Sequence, residues 1–549
     1  MRSVSNLNSD KMKKVPYKSM VFAGALSLLT LSSCNYEEIN TNQYEVTEEM
    51  ETMDGIAVGA SITTMERYVF PVGTKADGTD IINQYQVAYH LSADSWSGYF
   101  GQDNRWHSGL CNVNYYLNND WVSATYKNSY TEMMSPWKKV KLYAEESGDM
   151  APFALAQILK ISAWHKTLES FGPIPYTKAG DMALVIPFDS EEAVYDAMFQ
   201  DLKTAIAELT PLAESGGSIV ADYDAVYAGN AANWVKYANS LMLRLAMRLR
   251  YVNEQKSKSW VTEALNHSIG VMKVSSDAAQ MSSGAGYTFI NNIAYFAANY
   301  GETRMCTSMY AYLNGYKDPR LSVYYMPSTS SYALTAFDGA SYAPVPPGTA
   351  SEADTFEDFS LPNMSSTTPT YWMKASEVYF LRAEAALFWP EFGDAETLYK
   401  EGISMSFSEN GINSAVDSYL LSGLQPIAVS LSEPINYSAP SPTKATPEFT
   451  GTNEEKLEKI MIQKWISMYP NGQEAWTEFR RTGYPVLNPI VENNGEFEGV
   501  TTERGIRRMT YPQSFSQSAE DAANYQDAVS KLKDGTDTPI SRLWWDCRN

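Results

Sequence analysis

Apolar residues at helical spacing constrain this chain more than any other feature. Within residues 229–250, Trp234, Ala238, Leu241, Leu245 and Leu249 follow one another at steps of four, three, four and four, so a helix there carries one continuous apolar stripe. Leu457, Ile460, Met461, Lys464, Trp465 and Met468 repeat the pattern behind Thr452 and Asn453, either of which suits a helix cap. Segments 151–168, 191–210 and 303–315 also read as helices, the first apolar on most sides and therefore expected between neighbours. No run of alternating residues suggests a large sheet.

Residues 376–407 form the clearest helix pair. Ser376 is placed to cap the first helix, and Val378, Leu381, Ala385 and Phe388 form its stripe. Phe392-Gly393-Asp394 then turns the chain into a second helix bearing Ala395, Leu398, Tyr399 and Gly402. Counted from Ser376, Tyr379, Ala383, Ala395, Tyr399 and Gly402 stand where a tetratricopeptide repeat of about 34 residues keeps its packing residues, with Arg382 in place of the usual leucine. Leu202, Ala205, Ile206 and Leu209 look like the second helix of another such unit. The fold expected is mostly α, a tetratricopeptide-like helical repeat scaffold. Polar segments near 71–80, 273–301, 322–372 and 409–452 are its long loop insertions. No linker divides independent domains, so residues 51–549 are expected to form a single ligand-binding domain.

The N-terminus reads as an export signal. Lys11, Lys13, Lys14 and Lys18 precede an apolar run from Met20 to Leu31, too short to span a bilayer, and Leu31-Ser32-Ser33-Cys34 resembles the lipobox of bacterial lipoproteins. Residues 1–33 are then a lipoprotein signal peptide, Cys34 the lipidated residue, and 34–50 a lipid-anchored tether. Each buried CH₂ of an acyl chain stabilises membrane attachment by about 0.8 kcal/mol, so a multiply acylated Cys34, palmitate included, holds the protein without a spanning helix. Glu37 and Glu38, just behind it, resemble the acidic surface-export signal of Bacteroidetes lipoproteins and point to the outer membrane's exterior face.

Removing residues 1–33 takes away five basic residues and one acidic one, which deepens the net charge from −22 to −26. With no basic run beyond the first twenty residues, nucleic acid is excluded as a partner. Four cysteines without a CxxC pair and four scattered histidines give neither a disulfide framework nor a metal site, and no cofactor motif is present.

Only 19% of residues are charged, against roughly 25% in an average domain, whereas 13% are aromatic. Those rings gather with amides in one stretch: Asp94, Trp96, Tyr99, Asn104, Arg105, Trp106 and Trp121. Sugar recognition needs flat rings against the C–H face of a pyranose and planar polar groups for its hydroxyls. One covered sugar face removes about 50 Å² of apolar surface, worth about 1 kcal/mol, so several rings must act together. Tyr295, Phe296, Asn299, Tyr300, Glu302 and Arg304 form a second cluster. No HExxH or GxSxG stands in the chain. Carboxylates are plentiful, so a surface glycoside hydrolase or lyase on a helical fold stays open as the alternative.

Several motifs, in order, carry a family resemblance: the lipobox, Phe171-Gly172-Pro173-Ile174-Pro175-Tyr176, the helix from Tyr379 to Ala385, Lys464-Trp465, Asn471-Gly472-Gln473-Glu474-Ala475-Trp476, Arg480-Arg481-Thr482-Gly483 and Trp544-Trp545-Asp546. The mature chain resembles the SusD/RagB family, most closely its SusD-like nutrient-binding lipoproteins. Phe515 and Ala519 depart from the Glu and Asn often found after Tyr511-Pro512 in such proteins, so contacts there are not inherited. The resemblance implies a non-enzyme that binds an oligomeric nutrient, usually a glycan and sometimes, as in RagB-type members, a peptide. It also implies that the protein delivers this ligand, as a lid, to a SusC-like TonB-dependent transporter. Arg480 and Arg481 are read as a structural clamp in preference to a ligand role.

Overall fold

Trp234, Ala238, Leu241 and Leu245 are fully buried on one helix, and Leu249 is buried at its C-terminal cap, as their spacing requires. The structure, a computed structural model, describes residues 55–283, 286–328, 337 and 341–548. Cys34, the signal segment 1–33 and the tether 34–50 lie outside the described residues. Helices of eight residues or more run in chain order as α1 Ile56–Val69, α2 Asn119–Tyr126, α3 Glu132–Ser147, α4 Ala151–Phe171, α5 Glu191–Glu214, α6 Ala231–Arg248, α7 Glu254–Asn266, α8 Thr307–Gly315, α9 Ala375–Phe388, α10 Ala395–Glu409, α11 Asn453–Met468, α12 Gly472–Thr482 and α13 Ala519–Ser530. No described helix is long and apolar enough to cross a membrane.

The scaffold is mostly α and tetratricopeptide-like, with runs of successive helices packed on one another. α3 lies on α4, α4 on α5, α5 on α6 and α6 on α7, while α9 pairs with α10 and is covered by α11. α4 is buried nearly all round, as expected of a sandwiched helix. α9 and α10 approach closely because Gly402 faces Phe380, where an added Cβ would come within 2.8 Å of the ring. Asp394 caps α10 by accepting the Thr397 N–H at 2.8 Å, and Thr452 and Glu455 cap α11 reciprocally.

Two local expectations are corrected. Ser376 lies inside α9 rather than at its cap, and its N–H and hydroxyl both donate to Glu409 at the far end of α10, stapling the pair together. The segment 303–315 is not helical throughout. Its first residues form a strand, because Thr303–Met305 finds a partner strand two hundred residues earlier, and α8 begins only at Thr307.

Among the described residues there are three two-stranded antiparallel ribbons: β1 Phe100–Gln102 with β3 Thr303–Met305, β2 Ala279–Met281 with β4 Thr370–Met373, and β5 Val429–Leu431 with β6 Tyr437–Ala439. In the first, Phe100 opposes Met305 and Gln102 opposes Thr303.

A buried charge cluster locks α4, α6, α9, α11 and α12 together. Arg248 meets Glu169 at 2.9 Å, Glu474 at 2.7 Å and Glu478. Arg481 joins Glu478 to Glu384, Lys464 reaches Glu478, Arg244 reaches Glu377 and Glu474, and Arg250 reaches Glu384. Five cations thus face five carboxylates. Arg480 lies flat over Trp476, its carbon centre 3.4 Å from the ring centroid, and Arg507 holds Asp546 near the C-terminus. The family-like motif around Glu474 and Arg481 is therefore core architecture. His165 sits beside Glu169 at 3.3 Å; burial first of all pushes its imidazole down to about 4, so it is a neutral hydrogen-bonding partner at pH 7.

Gly472 opens α12 against the backbone of Asp94, and a Cβ there would lie 2.3 Å from the Asp94 Cα. Gly472→Ala is expected to destabilise the protein by about 1–3 kcal/mol through this overpacking, read as a lower denaturation midpoint. An unchanged midpoint would show that the helix shifts freely.

Candidate ligand-binding surface

The helix Asp80–Tyr85 passes directly into a π-helical run, 86–94, and a second π-helical turn occupies Phe296–Tyr300. Such turns insert extra residues into a helix and recur at functional sites. The β1–β3 ribbon brings the two together, extended by the Asp103 N–H donating to the Glu302 carbonyl at 2.7 Å. The two aromatic clusters of the sequence are thereby joined.

Glu302 lies at the centre of the resulting surface. Gln86 Nε2 donates to one of its carboxylate oxygens and Asn104 Nδ2 to the other, both at 2.7 Å. Partial burial raises its carboxyl above the ordinary range against the pull of those amides. To one side, the Tyr300 hydroxyl donates to Asn83 Oδ1 at 2.7 Å, and the Tyr295 ring meets Tyr300 edge-on at 5.1 Å. To the other, half-buried Trp106 leans on a small apolar cluster of Leu91, Cys111, Val113 and Trp121, beside Val87. Arg105 is exposed, 3.7 Å from Glu352.

The loop bearing Trp106 is held in an uncommon backbone. His107 and Ser108 have φ of 50° and 57°, a region that non-glycine residues enter at a cost, and His107 stands edge-on to Trp121 at 5.5 Å.

The remaining sequence candidates lie beneath this surface. Asp94 accepts from the Tyr85 hydroxyl at 3.0 Å and lies 3.2 Å from His90 Nδ1. The Trp96 indole donates to the Asn112 carbonyl at 2.7 Å and packs on Trp476; the Tyr99 hydroxyl donates to the Trp465 carbonyl. Arg304 spends its guanidinium on the carbonyls of Phe356, Gly301, Thr303 and Glu357, with Asp103 at 3.6 Å. Asp103 itself is pushed up to about 6 by burial. Trp121 is buried under His107. The structure therefore exposes Asn104, Arg105, Trp106 and Tyr300 as a group, and buries Asp94, Trp96, Tyr99, Trp121 and Arg304 as their support. Asn83 and Gln86 are additions. Their three-residue spacing on a helix was the available signal.

Flat rings, amides and one capped carboxylate make a surface suited to neutral polyhydroxyl groups. Both Glu302 oxygens accept from amides, so the carboxylate holds Gln86 and Asn104 in place across the ribbon. Glu66 and Asp224 do face each other, and burial followed by Asp224 raises Glu66 well above its ordinary range. Both are sealed in the core, where Asp224 accepts from Val226, Tyr227, Gly229 and Trp234. Among the described residues no group of three or more His, Cys, Asp or Glu side chains is arranged to hold a metal ion.

Residues 38–546 match the family model SusD-like, described as Susd and RagB outer membrane lipoprotein. Among solved structures, a chitin-binding SusD homolog from Flavobacterium johnsoniae is 33% identical with a TM-score of 0.81, covering 90% of this chain and 99% of its own. A SusD homolog from Bacteroides ovatus is 31% identical with a TM-score of 0.81, over 90% and 100%. One from Bacteroides uniformis is 32% identical with a TM-score of 0.80, over 90% and 99%. No curated protein sequence matches the chain.

Proposed function

The chain belongs to the SusD-like family of outer membrane lipoproteins, and from that premise we propose that it binds an oligomeric glycan on the surface around Trp106, Asn104, Glu302 and Tyr300. The single observation that carries this reading is the joining of two distant ring-and-amide segments by one ribbon, which leaves Trp106, Tyr295 and Tyr300 flanking a row of amides. Rings that each cover one sugar face contribute about 1 kcal/mol apiece, so three rings supply about 3 kcal/mol and hydrogen bonds from the amides to the sugar hydroxyls supply the rest. The chitin-binding relative supports a glycan ligand in preference to a peptide.

The protein does not catalyse. It delivers the bound glycan, as a lid, to a SusC-like TonB-dependent transporter. Residues 1–33 are removed, Cys34 carries the lipid, 34–50 are the tether, and 51–549 form one binding domain facing the cell exterior. Protection of the protein from added protease on intact cells would overturn that orientation.

Isothermal titration of the mature chain against N-acetylglucosamine oligomers, plant and host oligosaccharides and peptides tests the reading. Saturable binding of one glycan class, with no product released from a labelled sample, is the expected result. Absence of glycan binding, together with failure to co-purify a β-barrel, would sink it.

A further inference from the structure

A second concave site lies on another flank of α2. Trp121 supports the glycan surface, whereas Tyr126, five residues on and so turned well away from it around the helix, lines a groove of about 290 Å³ with Tyr130, Met134, Phe188, Phe515 and Tyr525. A third π-helical turn, Lys127–Thr131, forms one wall. The rings meet edge to face: Tyr126 and Phe515 lie 4.9 Å apart at 88°, and Phe188 and Phe515 lie 5.9 Å apart at 65°.

Several polar groups at this groove are paired, the Asp521 carboxylate accepting from the Ser518 hydroxyl at 2.6 Å. The Tyr130 hydroxyl donates to the Pro175 carbonyl, that of Tyr525 to Asp537, and the Asn524 amide to the Ile186 carbonyl. Tyr126 differs. The residue is only 6% exposed and lines the groove, and its hydroxyl pairs with no described side chain or carbonyl, which leaves it open to a group entering the groove. Beside the mouth, between the wall residues Ala179 and Ile186, Met182 and Leu184 are 102% and 96% exposed. Apolar walls of this extent hold water poorly, and a dry cavity of about 150 Å³ already accepts a benzene-sized molecule. The scarcity of free amides argues against a sugar.

We propose that this groove is a second binding site, distinct from the glycan surface, for a small ligand with a planar apolar ring and one hydrogen-bonding polar atom. The ring packs among Tyr126, Tyr130, Phe188 and Phe515, and the polar atom pairs with the Tyr126 hydroxyl. Met182 and Leu184 flank whatever part of the ligand emerges.

The test uses the mature chain carrying Cys34→Ser, so that neither acyl chain nor detergent competes, titrated with 4-methylphenol and with toluene by ligand-observed nuclear magnetic resonance. Both are expected to bind saturably. Tyr126→Phe, which keeps the ring and the fold, weakens 4-methylphenol about fivefold and leaves toluene unchanged. Phe515→Asp weakens both more than tenfold, while glycan titration of the same samples is unaltered. No saturable binding of either probe, or equal binding by Tyr126→Phe and the parent, overturns the proposal. So does a Phe515→Asp variant that loses a co-purifying transporter while the parent binds neither probe, because the groove is then a protein contact.

Discussion

Arg248→Met is expected to lower the stability of this protein by about 3–5 kcal/mol at neutral pH, the usual cost of breaking a buried ion pair from one side. Arg248 is fully buried between Glu169, Glu474 and Glu478, and its removal leaves three carboxylates sharing what the other four cations supply. The pH dependence has a definite sign. Burial alone would raise Glu169, but Arg248 and then His165 outweigh it and hold the carboxyl down to about 2; Glu478 is lowered in the same way by Arg481, Lys464 and Arg248. Glu474, raised by burial, opposes them.

A carboxyl whose folded pKa lies below its unfolded one stabilises the fold fully above that unfolded value. For Glu169 this contribution is complete above about 4.5 and is lost as the pH falls towards about 2. The gap between parent and Arg248→Met is therefore expected to narrow as the pH drops through that window, because carboxylates left without the guanidinium take up protons earlier. Urea denaturation midpoints at pH 7 and pH 4 measure this directly. An Arg248→Met midpoint equal to the parent's at pH 7 would mean that the remaining cations rearrange to compensate.

Trp106→Ala is expected to weaken glycan binding by roughly fivefold, the loss of about 1 kcal/mol that one covered sugar face contributes. Trp106 is half-exposed and rests on a small satellite cluster rather than the main core, so the fold tolerates its removal. Tyr300→Ala is expected to cost less, since its hydroxyl already pairs with Asn83 and only its ring is free for ligand. Calorimetry on the two variants, with circular dichroism to establish that both are folded, decides it. A Trp106→Ala protein that binds as tightly as the parent would remove this surface from consideration.

The helices were legible because their evidence is local. Trp234 to Leu249 repeats on one face whatever lies around it, and Thr452 with Glu455 announces its own cap. The site was legible only in part. Trp96, Tyr99 and Trp106 look alike in the sequence, yet the first two are fixed by the Asn112 and Trp465 carbonyls, the second 366 residues away. Nothing within reach of Tyr99 along the chain signals that partner. Gln86 and Val87 are hidden for another reason: the π-helical run that starts at Gln86 turns at a different pitch, so a wheel drawn at 3.6 residues per turn sorts its faces wrongly. Arg304 shows the reverse error, since a guanidinium near aromatic rings suggests a ligand while four carbonyls of its own protein already occupy it.

The short ribbon of Phe100–Gln102 with Thr303–Met305 has a consequence for biogenesis. A chain exported from its N-terminus presents the first strand early, with its edge unpaired, and about two hundred residues must follow before the second arrives. Until then Asn104 and Gln86 have no Glu302 to hold, so a nascent or truncated chain that stops short of residue 305 lacks the proposed sugar platform. The proposed ligand capture therefore waits on the emergence of the second strand.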